Sequence, residues 1–279
     1  MPKLPSACAP GGPLGDAVIC DTHMHFYDAR YATVAGAVLR PPDALVEDYR
    51  HVQAALGLER VVVVQPTTYG LDNACQLDAV ATIGDAARAI VVVDASVTDD
   101  ALRSFTEAGV RGARFHMLPG GAVDWDQLTP VAERIAPFGW HIQLQLDGHD
   151  LAERLDDLRS LPCPLVIDHV GRFMPPTSPD SPSFEALMRL VDDGAHVKLS
   201  APYESALDST HTYPEVTGCI DALVRHAPDR LLWATNWPHP GQNDPPSLEQ
   251  LASLRDRWLP TDELRQQVLV DNPAALYEF

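Results

Sequence analysis

The sequence predicts an α/β protein of the (β/α)8 TIM-barrel class, and three observations carry that prediction. Eight short apolar runs recur along the 279 residues, and some, such as 61–64 (VVVV) and 90–93 (IVVV), are continuous rather than alternating. Continuous runs are expected of parallel strands buried on both faces. Segments with helical spacing lie between them. The length also suits one barrel, which typically takes about 250 residues. A doubly wound open sheet is the alternative, but it would place a glycine-rich phosphate turn after an early strand, and none is present.

The predicted strands are Val18–Phe26, Arg60–Thr67, Ala89–Ser96, Val110–Met117, His141–Gly148, Pro164–Gly171, His196–Pro202 and Arg230–Pro238. Helical spacing appears in PDALVEDYRHVQAALG, NACQLDAVATIGDAARA, TDDALRSFTEAG, WDQLTPVAERIAPFG, HDLAERLDDLRSL and SFEALMRLVDDG, with room for a helix after each of the last two strands. Gly57, Gly109, Gly139 and Gly194 close four of these segments, as helix C-termini prefer. No internal repeat or domain-splitting linker appears. The predicted organisation is one barrel domain over residues 1–279, with 1–16 as an N-terminal extension. Two proline-rich stretches, FMPPTSPDSPSF and WPHPGQNDPPSL, follow the sixth and eighth strands and belong on the C-terminal face. There they serve as stiff loops or as lids.

Composition excludes several classes of partner. Lys plus Arg is 20 against 39 for Asp plus Glu, a net charge of −19. Nucleic acid and anionic membranes require a basic face, so neither is expected as a partner. An acidic small molecule must meet locally clustered cations. The five cysteines show no paired or zinc-type spacing, as in a reduced, cytoplasmic protein. No apolar run approaches the ~20 residues of a membrane helix. The N-terminal stretch, broken by Pro and Gly, lacks the apolar middle of a signal peptide.

Three places on the expected barrel rim carry chemistry. The first strand ends in His23-Met24-His25, and residues two apart on a strand share a face. His169 closes the sixth strand, and Thr235-Asn236-Trp237-Pro238-His239 closes the eighth. Asp21 is expected on the same face as the histidine pair, deeper, as an orienter of imidazole. Asp72 and Asn73 are expected to cap the following helix.

The set DTHMHFYD, QPTTYGLDN, RGARFH, IDHVGR and WATNWPHP resembles the amidohydrolase superfamily, and within it the lactone-acting group that contains pyrone-dicarboxylate lactonases and galactarolactone isomerases. The match runs from Asp21 to the closing DNPAALYEF. The resemblance implies a barrel and a lactone substrate. Metal-dependent members hold ions with the first-strand His pair, a Lys or Glu on strand four, histidines on strands five and six, and an Asp on strand eight. Here strand four offers Arg114-Phe115-His116, strand five offers Gln143 and Gln145, and strand eight offers Asn236. No required metal or cofactor is therefore expected, with adventitious zinc at His23, His25 and His169 the one allowance.

In hydrolytic relatives the strand-eight Asp resembles a general base for the attacking water. A carboxamide is no useful Brønsted base, so Asn236 should cripple water attack. Attack by an internal hydroxyl needs less help, since effective molarities reach ~10⁵ M or more. The resemblance thus implies an isomerase, acting on a sugar-acid lactone by intramolecular transesterification, D-galactaro-1,5-lactone to the 1,4-lactone in galacturonate catabolism. A hydrolase of the pyrone-dicarboxylate type, with a base such as His239, is the alternative. His23, His25, His169 and Asn236 are the expected catalytic residues. Arg114, Arg172, Lys198 and Arg40 are the expected cations for a carboxylate. Gln143, Gln145, Tyr69 and His239 are expected to meet the sugar hydroxyls.

Overall fold

The computed structural model describes residues 17–207 and 210–279, so the expected extension over 1–16 lies outside the described residues. Eight parallel strands run in the order β1 to β8: Cys20–Met24, Arg60–Val64, Ala87–Val91, Val110–His116, His141–Gln145, Leu165–Ile167, His196–Leu199 and Leu231–Trp233. The ring closes between β8 and β1, where His25 N donates to the Trp237 carbonyl and Asn236 N to the His23 carbonyl, each at 2.9 Å.

Eight helices follow the strands in turn: α1 Val46–Leu56, α2 Ala74–Ile83, α3 Asp99–Glu107, α4 Leu128–Ile135, α5 Leu151–Arg159, α6 Pro182–Asp192, α7 Pro214–His226 and α8 Leu248–Trp258. Their ends obey local chemistry. Thr98, Ser181 and Ser247 accept hydrogen bonds from the first turns of α3, α6 and α8. Gly57 ends α1 at a φ of 67°, a left-handed conformation that glycine adopts without steric penalty. The segment read as one helix over NACQLDAVATIGDAARA stops at Ile83, and its last three residues open β3. Asp72 does accept from Ala74 N, whereas Asn73 ties off the end of β3 by bonding Val92 N and O.

The barrel interior is layered. Cys20, Val62, Val64, Ile90, Val166 and Leu232 form an apolar floor, closed from below by Tyr277. Neighbouring strand residues such as Val61, Val63, Ile142, Leu144, Val197 and Leu199 face outward into the main core against the helices. Above the floor the interior turns polar, with Gln143, Arg114, Lys198 and His23 all buried. This polar layer opens toward the strands' C-terminal ends, where barrel enzymes carry their sites.

Candidate active site

The pairing of β1 with β2 slips register between Asp21 and Met24. A strand irregularity of this kind re-aims side chains. Asp21 consequently points out of the barrel, accepting from Tyr49 Oη on α1 at 2.9 Å and from Thr235 Oγ1 at 2.6 Å. It also accepts from the backbone N of His23 and Thr235. The expectation that it orients an imidazole directly is thus corrected: it fixes the backbone where β1 meets β8.

His23 and His25 face inward. His25 Nδ1 lies 2.7 Å from the Val64 carbonyl. With the Nδ1 proton donated there, Nε2 of His25 keeps its lone pair and faces His23 Nε2 at 3.3 Å. His169 brings its ring centroid to 4.8 Å from that of His23 and its Nδ1 to 2.8 Å from Ser200 Oγ. His23, His25 and His169 are each no more than 3% exposed. The loop over residues 29–43 leans on the rim of β2, where Thr68 Oγ1 donates to the Leu39 carbonyl. It faces the proline-rich loop after β8 across a cavity of about 450 Å³ lined by Arg40, Trp237 and His239.

Beneath the rings lies a charge cluster. Asp168 Oδ1 sits 3.2 Å from His23 Nδ1 and 3.6 Å from Lys198 Nζ. Lys198 donates to the Thr22 carbonyl at 2.8 Å and to Gln143 Oε1 at 2.6 Å, and Gln143 Nε2 donates to Asp168 Oδ2 at 3.1 Å. Burial lowers Lys198 to about 8, with Asp168 pulling the other way. Burial works to raise Asp168, but the neighbouring His23 and Lys198 outweigh it and hold the carboxyl well below its ordinary value. Burial drives His23 well below its usual value and His25 to about 3, Lys198 adding to the first and Arg114 to the second.

His23, Asp168 and His169 present ligand atoms within 4.8 Å of one another, so these three could hold a metal ion. The local charge fits a divalent cation poorly. The Lys198 ammonium already stands at both His23 and Asp168, and the buried Arg114 guanidinium acts on His25 and His169. A divalent ion would join two buried cations already held at this cluster by Asp168 and, farther off, Glu204 and Asp21.

The other expected site residues separate into two groups. Arg114 is at the centre, donating to the Gln65 carbonyl and to Gln145 Oε1, with its Nε unpaired among the described residues. Gln143 and Gln145 are spent on protein partners: Gln143 on Lys198 and Asp168, Gln145 on Arg114 and His116. Lys198 lies at the bottom of the polar layer rather than at the rim. Arg172 is neutralised by Glu204 at 3.1 Å and Asp147 at 3.7 Å. Tyr69 turns its hydroxyl to the backbone of Asp28, pinning the loop after β1. Arg40 reaches the mouth, bonded to Thr33 Oγ1. His141 and His149, which flank β5 in sequence, stand apart: His141 packs on Tyr277 at the floor and His149 on Phe173.

Ser200 and Tyr203, from the hydroxyl-bearing run LSAPYES at the end of the seventh strand, also join the site, and Asp168 and His116 join it without a role assigned from sequence. The reason is backbone geometry. His169, Val170, Arg172, Ala201, Asn236 and His239 all have φ between 43° and 62°. Left-handed backbone is strained for such residues, most of all for a β-branched valine, and such strain concentrates at functional sites. The turn at His169 lets consecutive Asp168 and His169 both reach the interior, which an extended strand forbids.

The histidines also predict an acid limit to stability. Burial lowers His25, His116 and His141 to about 3 and His196 and His239 to about 4. Each is neutral in both states above its unfolded value near 6.5; below it the unfolded chain binds the extra proton, so stability falls as pH drops from ~6.5 toward ~4. Each histidine contributes a slope of ~1.4 kcal/mol per pH unit in that window. Denaturant titrations should show stability collapsing between pH ~6 and ~4, with net proton uptake on unfolding. A flat stability profile over that range would contradict neutral, buried imidazoles.

Comparison with known proteins places this arrangement. Residues 20–279 match the family model described as Amidohydrolase. The chain is 38% identical over 264 residues to D-galactarolactone isomerase of Agrobacterium fabrum, covering 92% of this chain and 90% of that protein. It is 34% identical over 272 residues to 2-pyrone-4,6-dicarboxylate hydrolase of Comamonas testosteroni, covering 92% and 89%. An apo crystal structure of an Agrobacterium tumefaciens protein superposes with a TM-score of 0.89 at 36% identity, covering 95% of this chain and 98% of that one. With its eight-stranded barrel, its rim histidines and a family match over all but the first 19 residues, the chain belongs to the amidohydrolase family.

Proposed function

We propose that the protein is a lactone isomerase that moves the ester of an aldaric acid lactone from one hydroxyl to another, converting D-galactaro-1,5-lactone to D-galactaro-1,4-lactone. The observation that carries this reading is the group after β8. Asn236 donates through Nδ2 to Tyr203 Oη at 2.8 Å, while its Oδ1 is buried and unpaired among the described residues. An amide oxygen accepts a hydrogen bond from a hydroxyl but takes no proton from water. The relative named D-galactarolactone isomerase, at 38% identity, points the same way.

The roles follow from placement. His169, whose Nδ1 accepts from Ser200 Oγ, turns its Nε2–H to the lactone carbonyl and stabilises the tetrahedral oxyanion, a well-aimed donor being worth roughly 3–4 kcal/mol, while His23 and His25, with their ring protons on Asp168 and the Val64 carbonyl, pack beside it and fix the carbonyl's place. The internal hydroxyl, aligned by Asn236 Oδ1, attacks the carbonyl carbon; the ring C–O bond then breaks and that oxygen takes up the proton the attacking hydroxyl gives up. Atoms balance without water. Arg114, at the centre and with an unpaired Nε, is the better cation for a substrate carboxylate, since Arg172 is already neutralised. Arg40 and His239 meet the sugar at the mouth.

The hydrolase alternative needs a base for water, and His239 offers none with its Nδ1 lone pair taken by the Tyr203 hydroxyl at 3.0 Å and its Nε2 carrying the ring proton. The proposed reaction also uses no metal, in keeping with the cations beside the histidines. Carbon NMR on freshly prepared 1,5-lactone tests both points. The 1,4-lactone should appear before any galactarate, at the same rate with and without a chelator. Galactarate as first product, or loss of turnover on chelation, would overturn the reading.

A further inference from the structure

The isomerase reading assigns Asn236 a task that depends on which way its amide faces. With oxygen inward, the amide accepts from the attacking O–H and leaves the nucleophilic lone pair free. With nitrogen inward, it would donate to that lone pair and tie up the electrons that must reach the carbonyl. Packing alone distinguishes the two poorly, because the two ends of a carboxamide are nearly the same size.

Tyr203 supplies the distinction. It lies in the turn Pro202–Ser205 after β7, which Ala201 enters at a φ of 43°. The turn is held by Glu204 N on the Ala201 carbonyl at 2.9 Å and by the Glu204–Arg172 ion pair. Tyr203 Oη stands 2.8 Å from Asn236 Nδ2 and 3.0 Å from His239 Nδ1. The directions follow from the donors. An amide nitrogen can only donate, so the phenol oxygen accepts there; with His239 as the tautomer that leaves Nδ1 unprotonated, the phenol's single proton goes to that nitrogen. The tyrosine ring packs edge-on against His239 with centroids 5.8 Å apart. The chain Asn236, Tyr203, His239 thus spans the strand-seven and strand-eight loops.

We propose that Tyr203, backed by His239, is a positioning residue that latches the Asn236 carboxamide with its oxygen turned toward the lactone, and so selects attack by the sugar hydroxyl. This rests on the isomerase reading of Asn236. Tyr203 need not touch the reacting atoms; it acts through Asn236.

The test is a double-mutant cycle joined to a spectroscopic measurement. Tyr203→Phe keeps the ring and removes the hydroxyl. It should lower kcat about tenfold, the loss of roughly one hydrogen bond's worth of alignment, and leave KM within about twofold. In the Asn236→Ala background the two losses should not multiply, because the latched amide is already gone. Nitrogen NMR of the ligand-free protein, with the Asn236 side-chain signal assigned by its absence in Asn236→Ala, should show a hydrogen-bonded amide. That signal should shift and exchange faster with solvent in Tyr203→Phe. Full multiplication of the kinetic losses, or an amide signal indifferent to the tyrosine, would overturn the latch. A wild type that makes no 1,4-lactone would refute the isomerase reading instead, and the amide signal still decides the latch.

Discussion

Asn236→Asp should turn the protein into a hydrolase of the same lactone. The substitution changes one atom at a position whose oxygen is already buried and, among the described residues, unpaired. A carboxylate there accepts a proton from water near neutral pH, and a positioned base typically contributes ~10²–10⁴-fold in rate. Release of galactarate from the 1,5-lactone should rise by a factor in that range, while the histidine cluster and Arg114 continue to bind and polarise the ester. The measurement is the initial rate of galactarate formation, followed by NMR in both proteins. A variant that folds, binds lactone and hydrolyses it no faster than the parent would refute the role given to Asn236.

Removing the carboxylate at the barrel centre should produce the largest loss of stability. Asp168→Asn leaves Lys198, wholly buried, with its carboxylate partner gone and with the Thr22 carbonyl, Gln143 Oε1 and, at 3.4 Å, His23 Nδ1 as its remaining neutral partners among the described residues. Breaking a buried ion pair by deleting one partner costs about 3–5 kcal/mol, whereas removing both charges is often close to neutral. Asp168→Asn should therefore shift the denaturant midpoint strongly downward, and Asp168→Asn with Lys198→Met should recover much of the loss. The slope of stability against denaturant should stay the same, since the folded state remains equally compact. Simple addition of two separate losses in the double variant would show that the two charges do not depend on each other.

The fold was legible because its signal is periodicity. Runs such as VVVV at 61–64 and IVVV at 90–93 fall within or beside strands whose side chains alternate between the barrel interior and the helix layer. Legibility stopped at the strand ends. The eighth strand, expected to run to Pro238, ends at Trp233, and the sixth, expected to reach Gly171, ends at Ile167. Beyond those points the backbone turns left-handed at Asn236 and His169. Histidine and asparagine adopt positive φ several-fold more often than most residues, yet it is still uncommon enough that sequence does not place such a turn.

The same geometry explains the site residues that sequence placed and those it missed. His23, His25 and His169 meet because β1 and β6 end on the same rim, toward which Arg114 on β4 and Asn236 after β8 are also placed. Asp168 was hidden because alternation puts it on the face opposite His169. Asp21 was placed on the wrong face because nothing in DTHMH announces the slip in β1 pairing. Arg172 looked like a free clamp until Glu204, distant in sequence, took its charge. Pairings of this kind are set by tertiary structure, and a single sequence carries no record of them.

The isomerase account stands on one chemical claim: the ester changes hydroxyls without a water molecule entering. Running the 1,5-lactone reaction in heavy-oxygen water and weighing the 1,4-lactone by mass spectrometry tests that claim directly. Internal transfer predicts a product of unchanged mass. A product carrying one heavy oxygen would mean that the ring was opened by solvent and closed again.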